Sequence, residues 1–252
     1  MARTSGGQTE TKEQRGRSNS TGAKGGAGKT AQPGHSGQRG ADGRGASSVA
    51  LEGIVGFVGL PKSGKTYNAA RMVDRAPRLL VWDAMHCFNG QPGPRSNFLP
   101  NCVVISSLPY LVAYLRAHRN GPFRVIYQPG YALEKEFDYV SKLVIEIRNL
   151  VFFVDEVWQV CKPAWMPPAL NLISRAWGHR GITMIYTAQR PQVVAADLRE
   201  NTTNWELFHM EGDRALEAIR GRVPDAVISQ LPSLPPRWHI TATAGEWRLI
   251  KP

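Results

Sequence analysis

The sequence predicts an α/β fold with a mainly parallel sheet covered by helices on both faces, and two observations lead to this prediction. Short apolar runs alternate along the chain with segments of helical periodicity, which is the pattern of parallel strands joined by helical crossovers. One strand-to-helix junction is a glycine-rich loop, and loops of this kind lie at the carboxyl ends of parallel strands.

The predicted strands and helices are short segments, each recognised by its pattern of apolar residues. Strands are expected at the apolar runs 53–58, 78–83, 103–105, 123–127, 150–154 and 182–186. Helices are expected where apolar residues recur at helical spacing, at 67–73, 108–118, 133–148 and 168–178. The end of the chain predicts a β-hairpin, with strands 238–243 and 246–250 joined around Ala244-Gly245.

The first 49 residues differ in composition from the rest. They contain twelve of the 25 glycines and no Phe, Trp or Tyr, the first of which is Phe57. Such a segment cannot bury enough apolar surface to offset the loss of chain entropy. We therefore expect a disordered, basic, Gly/Ser-rich tail at 1–49 and one folded domain at 50–252.

Charge and cysteine usage narrow the function classes. The formal charge is +11, of which +5 lies in residues 1–49 and +6 in the remainder. This excess favours a polyanionic partner such as nucleic acid, although a basic solvated surface has the same composition. The three cysteines, Cys87, Cys102 and Cys161, form no C-x-x-C pair, which argues against a disulfide framework or a zinc site. No apolar run approaches the length of a membrane span, and no secretory signal is present.

A phosphate-binding loop is predicted after the first strand. The sequence there fits G-x-x-x-x-G-K-[ST], with the residues Gly59, Leu60, Pro61, Lys62, Ser63, Gly64, Lys65 and Thr66. Its glycines let backbone N–H groups converge on an anion. Lys65 is expected to reach the β- and γ-phosphates of ATP, and Thr66 to bind Mg²⁺. A second G-K-T string, at 25–30, has no preceding strand and matches by composition alone.

Two acidic residues follow the apolar strand 150–154. Asp155 is expected to bind Mg²⁺ through its water shell, and Glu156 to activate the attacking water as a general base. The alternative is that both residues cap the following helix. Because the phosphate loop also follows a buried strand, the catalytic interpretation is favoured. The Asp-Glu pair also favours water as the nucleophile, which argues against a small-molecule kinase.

The strand at 182–186 leads into a polar segment, Thr187-Ala188-Gln189-Arg190-Pro191. Gln189 is expected to hold the attacking water or to sense the γ-phosphate. The alternative is a polar turn closed by proline. Three partners stay open for Arg190: phosphate, DNA and solvent.

The segment 172–191 resembles the FtsK/HerA superfamily of DNA-pumping ATPases. Its sequence, LISRAWGHRGITMIYTAQRP, has the helix, the R-x-x-G-I-type turn and the strand that leads into a T-Q-R-P-like end. Two departures are visible, since Arg180 directly precedes Gly181 and Ala188 separates Thr187 from Gln189. Together with the two motifs above, in family order, the resemblance covers about 53–210.

This resemblance implies a RecA-like P-loop NTPase core that uses ATP and Mg²⁺. A small chain of this type, without further domains, is similar to the genome-packaging ATPases of membrane-containing icosahedral phages and viruses. The similarity implies an ATP-hydrolysing translocase that packages double-stranded DNA into a preformed capsid. A homo-oligomeric ring, expected to be a hexamer, would work with capsid vertex proteins in the host cytoplasm or at the packaging vertex of the virion.

In such a ring, an arginine from one subunit would reach the γ-phosphate bound by its neighbour. The candidates are Arg175, Arg180 and Arg199, and of these Arg180 and Arg199 are preferred. Each is otherwise an ordinary surface arginine.

Two other functions stay open at this point. One is a filamentous-phage assembly or conjugation ATPase that acts on protein or single-stranded DNA. The other is a vertex component that binds ATP without hydrolysing it. Outside the three motifs, Asp83 is equally compatible with the edge of the site and with a strand-end turn. Packing in the core is favoured over base stacking for three tryptophans, Trp158, Trp165 and Trp177.

Overall fold

A mainly parallel sheet of nine strands organises the part of the chain that the computed structural model describes, residues 52–90, 99–130 and 133–252. The strands are β1 (Ile54–Val58), β2 (Arg78–Trp82), β3 (Val103–Ile105), β4 (Phe123–Tyr127), β5 (Leu150–Val154), β6 (Ile182–Ala188), β7 (Asn204–Phe208), β8 (His239–Ala242) and β9 (Trp247–Ile250). The helices are α1 (Lys65–Val73), α2 (Leu108–Ala117), α3 (Leu133–Ile147), α4 (Pro168–Arg180), α5 (Ala196–Glu200), α6 (Asp213–Glu217) and α7 (Asp225–Ile228). The predicted tail at 1–49 lies outside the described residues.

The strand order is β3-β4-β2-β5-β6-β1-β7-β8-β9. The first seven strands in this order pair in parallel, whereas β7-β8 and β8-β9 are antiparallel. The predicted α/β fold with a mainly parallel sheet is therefore confirmed. Strands β8 and β9 form a C-terminal hairpin that extends one end of the sheet.

Helices cover the two faces of the sheet unequally. Side chains alternate along each central strand, so that Val154 and Phe152 belong to one core and Phe153 to the other. The larger core lies under α2, α3 and α4. The smaller core lies mainly under α1, with Phe88 and Leu99 from the segment between β2 and β3. Both faces are apolar, which explains why the central strands read as continuous apolar runs.

Three adjacent strands, β5, β6 and β1, occupy the middle of the sheet. In the register, Val58 of β1 lies beside Ala188 of β6, and Val154 of β5 lies beside Tyr186 of β6. Because all three strands are parallel, the segments that follow them emerge at the same edge. The predicted phosphate loop, the Asp-Glu pair and Gln189 are thereby brought to one place.

Strand β7 was not predicted from the sequence. Its burial pattern is nearly continuous, yet Glu206 stands in the middle of it and is only 4% exposed. The carboxylate accepts a hydrogen bond from the Thr241 hydroxyl at 2.8 Å and lies 3.2 Å from His239 Nε2, both on β8. Partners on the neighbouring strand thus make a charged residue compatible with a buried strand.

No helix in the described ranges has the length and apolar composition needed to cross a bilayer.

Candidate functional site

The glycine-rich loop joins β1 to α1 at the carboxyl edge of the sheet. Its first residue, Gly59, has φ of 151°, and a Cβ there would lie 2.6 Å from Phe208 Cβ. The Gly59 N–H donates to the Ala188 carbonyl at 3.3 Å, and the Leu60 N–H donates to the His209 carbonyl at 3.0 Å. The loop is therefore anchored between β6 and the end of β7, which requires glycine at its first position.

The second half of the loop leads directly into helix α1. Gly64 has φ of 107°, and its carbonyl accepts the Asn68 N–H at 3.0 Å, so the helix begins as the loop ends. This arrangement directs the first N–H groups of a nine-residue helix toward the loop, where an anion is favoured. The Ser63 hydroxyl is buried without a partner among the described residues.

Lys65 is buried beneath the loop. It is 5% exposed, and its Nζ donates to the Leu60 carbonyl at 2.9 Å. Burial lowers the pKa of the Lys65 ammonium, while the carboxylates of Glu156 and Asp155 act in the opposite direction. A cation that is held inside the loop and faced by two carboxylates is suited to bind a phosphate.

Thr66 and Asp155 are in direct contact. The Thr66 hydroxyl donates to Asp155 Oδ1 at 3.2 Å, so the two predicted Mg²⁺ ligands lie on the same side of the loop. Asp155 is 2% exposed. Burial, reinforced by the charges of Glu156 and Asp83, raises the pKa of Asp155 to about 6, although the bonds from Thr187 and Thr66 oppose this shift.

Thr187 connects the two acidic residues, a role that the sequence did not reveal. Its hydroxyl donates to Asp155 Oδ1 at 2.7 Å and accepts the Glu156 N–H at 2.8 Å. The sequence prediction ended this strand at Tyr186, whereas β6 continues as a buried strand to Ala188 and so includes Thr187. Thr187 is therefore a fully buried strand residue that faces the end of β5.

Glu156 begins the turn that follows β5. Its φ of 54° lies in the left-handed region, which is uncommon for a residue with a side chain. One carboxylate oxygen, Oε1, lies 3.4 Å from Gln189 Nε2, and the other, Oε2, accepts the Trp158 indole N–H at 2.5 Å. The structure thus brings Glu156 and Gln189 together, as their predicted roles around an attacking water require.

Asp83 has the role of a turn residue at the end of β2. Its two carboxylate oxygens accept the backbone N–H groups of Cys87 at 2.8 Å and Phe88 at 2.9 Å, and Gln128 Nε2 lies 3.1 Å from Oδ2. The side chain is completely buried. These contacts support the interpretation of Asp83 as a strand-end turn residue. The negative charge of Asp83 also contributes to the raised pKa of Asp155.

Cys87 Sγ and the carboxylate oxygens of Asp83 and Asp155 lie within 4.8 Å of one another. Burial, together with the surrounding carboxylates, raises the pKa of the Cys87 thiol to about 11. Mg²⁺ prefers oxygen ligands to a thiol, so the oxygen ligands Asp155 and Thr66 remain the candidate metal site.

The candidate arginines lie away from this cluster. Arg180 ends α4 just before β6 begins, at the sheet edge opposite the phosphate loop, and donates to the Ile145 carbonyl at 3.2 Å. Arg180 therefore lies out of reach of the phosphate loop of its own chain. Arg199 donates to the Ala218 carbonyl at 2.8 Å, and burial followed by the charge of Arg222 lowers its pKa. Arg175 pairs with Asp197 at 3.2 Å.

The tryptophan prediction was wrong for two of the three residues. Trp158 and Trp165 are each 43% exposed, whereas Trp177 packs against the larger core. The error arose because apolar composition alone does not distinguish a core residue from an exposed one.

No protein-family model matches the sequence, and a search of curated proteins finds no significant match. Solved structures do match in fold. The genome packaging NTPase B204 from Sulfolobus turreted icosahedral virus 2, in complex with AMPPCP, is 16% identical and has a TM-score of 0.61. The match covers 80% of this chain and 98% of that one.

Two further structures are similar. B204, the DNA-packaging ATPase from Sulfolobus turreted icosahedral virus, is 16% identical with a TM-score of 0.58, and the match covers 79% of this chain and 97% of B204. VirB4 of Thermoanaerobacter pseudethanolicus is 13% identical with a TM-score of 0.53, covering 79% of this chain and 88% of VirB4. At these identities the likeness concerns the fold. The fold likeness agrees with the resemblance seen in the sequence, and the chain has the P-loop NTPase fold that these ATPases share.

Proposed function

We propose that the protein hydrolyses ATP with Mg²⁺ and uses the energy to package viral double-stranded DNA into a preformed capsid. The observation that carries the enzymatic part is the meeting of Lys65, Thr66, Asp155, Glu156 and Gln189 at one edge of the sheet. These residues follow three different strands. Together they supply the groups that ATP hydrolysis needs: a cation, a hydroxyl, two carboxylates and an amide.

The oxygen ligands around Thr66 suit Mg²⁺. A hydroxyl and a carboxylate are ligands that this small, hard cation prefers. Burial, reinforced by the negative charges of Glu156 and Asp83, raises the pKa of Asp155, and a divalent cation beside it would favour its ionised form. Thr66 and Asp155 would hold the ion, and Mg²⁺ would neutralise charge on the β- and γ-phosphates.

Glu156 and Gln189 would act on the water. The water oxygen attacks the γ-phosphorus, the bond to the ADP oxygen breaks, and the Glu156 carboxylate takes the proton that the water loses. Gln189, whose amide lies 3.4 Å from the Glu156 carboxylate, would orient the same water. Lys65 would stabilise the charge that develops on the transferred phosphoryl group and the ADP oxygen.

The DNA part of the proposal is supported by charge, by the sequence resemblance and by the fold likeness to B204. Subunits would form a ring, a hexamer on the FtsK/HerA pattern, with an arginine acting across each interface. The ring would hold the DNA backbone rather than its bases, because packaging must tolerate any sequence. It would act in the host cytoplasm and at the capsid vertex, in contact with vertex proteins.

The test is the ATPase rate of assembled protein in the presence of linear double-stranded DNA, single-stranded DNA or no DNA. Stimulation by double-stranded DNA that falls with rising salt is expected, because phosphate contacts release counterions. Failure of DNA to stimulate assembled rings would contradict the translocase proposal. A preference for single-stranded DNA would favour the filamentous-phage or conjugation alternative.

A Glu156→Gln variant separates hydrolysis from simple binding. If its residual ATPase equals that of the unmodified protein, any activity comes from elsewhere, and the non-hydrolysing vertex component becomes the better description. Loss of turnover with retained ATP binding is the expected result.

A further inference from the structure

The turn that follows β5 carries an exposed tryptophan beside the proposed general base. Trp158 lies in a short 3₁₀ segment, Val157–Gln159, and its indole N–H donates to Glu156 Oε2 at 2.5 Å. The ring is 43% exposed, whereas the adjacent Val157 is fully buried. Anchoring of the turn is therefore the task of Val157, and packing does not explain a tryptophan at position 158.

The backbone of Glu156 is fixed independently of Trp158. Its N–H donates to the Thr187 hydroxyl at 2.8 Å, and its carbonyl accepts the Gln159 N–H at 3.1 Å. The left-handed φ of 54° then determines where the side chain begins. What remains free is rotation of the side chain, which has three torsions, and only Trp158 and Gln189 contact its carboxylate among the described hydrogen-bonding groups.

We propose that Trp158 is a positioning residue that holds the Glu156 carboxylate in the orientation in which it accepts a proton from the attacking water. This inference rests on the proposed function, since it assigns a task only if Glu156 is the general base. The two oxygens of the carboxylate would have separate tasks. Oε2 accepts the indole N–H, and Oε1, on the side of Gln189, receives the proton.

The chemistry suits an indole in this position. The indole N–H is a donor only, so it cannot take the proton from Glu156 or compete with it as a base. It also selects one rotamer of the carboxylate, in the way that a third group orients the base in a catalytic triad. During the step, a water O–H bond breaks and a bond from that proton to Oε1 forms, while the indole proton stays on nitrogen.

The test compares Trp158→Phe with Trp165→Phe, which removes an equally exposed tryptophan that, among the contacts of the described residues, makes no hydrogen bond to Glu156. Steady-state ATPase assays give kcat and KM, and binding of a fluorescent ATP analogue gives Kd. Trp158→Phe is expected to lower kcat about tenfold with KM and Kd unchanged, because general-base catalysis depends on orientation. Trp165→Phe is expected to leave all three values unchanged.

A double-mutant cycle shows whether the effect passes through Glu156. Single-turnover rates are measured for Glu156→Gln with and without Trp158→Phe. The enzyme is in excess over ATP, so that slow hydrolysis can be measured. No further loss is expected in the double variant, because the oriented base has already been removed. A merely structural role of Trp158 would lower the rate in both backgrounds.

Melting temperatures check that the variants are folded. If Trp158→Phe melts well below Trp165→Phe, Trp158→Leu provides a second apolar side chain without a hydrogen-bond donor at this place. A kcat within twofold of the unmodified protein, a loss confined to KM, or a further loss in the Glu156→Gln background would each overturn the inference. Absence of Lys65-dependent hydrolysis in the unmodified protein would instead overturn the proposed function, and the inference with it.

Discussion

Thr187 and Asp155 are joined by a buried hydrogen bond of 2.7 Å, which runs from the hydroxyl of a strand residue to the carboxylate proposed to hold Mg²⁺. The same hydroxyl accepts the N–H of Glu156 at 2.8 Å. One side chain on β6 therefore orients both acidic residues at the end of β5. The relative position of the proposed metal ligand and the proposed general base depends on this contact between neighbouring strands.

Thr187→Val should weaken both stability and activity. Valine fills the same volume but leaves the Glu156 N–H without its partner and removes one of the two hydrogen bonds to Asp155 Oδ1, the other coming from Thr66. Loss of a buried hydrogen bond to a charged group costs about 1.5–3 kcal/mol, which urea unfolding can measure, and kcat should fall. Thr187→Ser keeps the hydroxyl and is the matched control. If the serine and valine variants behaved alike, the hydroxyl would not have the role assigned to it.

Asp155→Asn should stabilise the protein at neutral pH when Mg²⁺ and nucleotide are absent. The folded-state pKa of Asp155 is raised from 3.8 to about 6, so the folded protein binds a proton more tightly than the unfolded chain does. Stability must therefore fall as pH rises from about 4 to about 6. Asparagine carries no charge and removes this loss, which is on the order of 3 kcal/mol.

Unfolding of both proteins at pH 7.5 and at pH 4 checks this sign. The higher pH lies about 1.5 units above the raised pKa of Asp155, and the lower pH lies near the usual pKa of an Asp side chain. The advantage of Asp155→Asn should be present at the higher pH and absent at the lower one. Asp138→Asn is a control of opposite sign. Burial alone would raise the pKa of Asp138. The bonds from Lys142 and the Ala169 N–H outweigh burial and lower this pKa. Removing that charge should destabilise the protein at neutral pH.

Lys65→Ala should abolish ATP turnover and leave the fold intact. Burial disfavours the Lys65 ammonium, as its lowered pKa shows, so a methyl group in its place relieves that cost and offsets the lost attraction to Glu156 and Asp155. Hydrolysis assays and melting curves test the two parts separately. Lys135→Ala, which removes an exposed lysine on α3, serves as the control for general effects of charge. Retained hydrolysis in Lys65→Ala would move the active site elsewhere.

Much of the site could be predicted because the chemistry sits at strand ends. The phosphate loop, the Asp155-Glu156 pair and Gln189 each follow an apolar run, and three parallel strands that are neighbours bring such ends together. The order of strands in the sheet was not needed for this prediction, only the shared edge. The same logic gave most strands to within two residues.

What could not be predicted depends on contacts between elements that are distant in the sequence. Strand β7 contains Glu206, whose burial is tolerated because Thr241 and His239 on β8 are its partners. The sequence of residues 204–208 contains no pattern that indicates these two partners. Thr187 and Trp158 are similar cases, since each acts through a hydrogen bond to the end of β5. Residue type alone leaves a threonine and a tryptophan indistinguishable from ordinary strand and core residues.

The two preferred arginines differ in their surroundings and should differ in behaviour. Arg199 is half-buried and bonded to the Ala218 carbonyl, so Arg199→Ala should lower the melting temperature and impair activity through stability. Among the residues that the structure describes, the Arg180 guanidinium donates to the Ile145 carbonyl alone, near the surface. We expect Arg180→Ala to retain its stability and to lose ATPase activity in assembled rings, if this residue acts on the neighbouring subunit's nucleotide.

Mixing two inactive variants tests that assignment directly. In a ring built from Arg180→Ala and Lys65→Ala subunits, some interfaces combine an intact phosphate loop from the first variant with an intact Arg180 from the second. Such interfaces should recover part of the ATPase activity, because each subunit supplies what the other lacks. Mixing Lys65→Ala with Glu156→Gln is the control, because each of these subunits carries a lesion in its nucleotide-binding half and no interface in the ring contains an intact one. Recovery in the first mixture alone would identify Arg180 as the residue that acts in trans, whereas no recovery in either would exclude it.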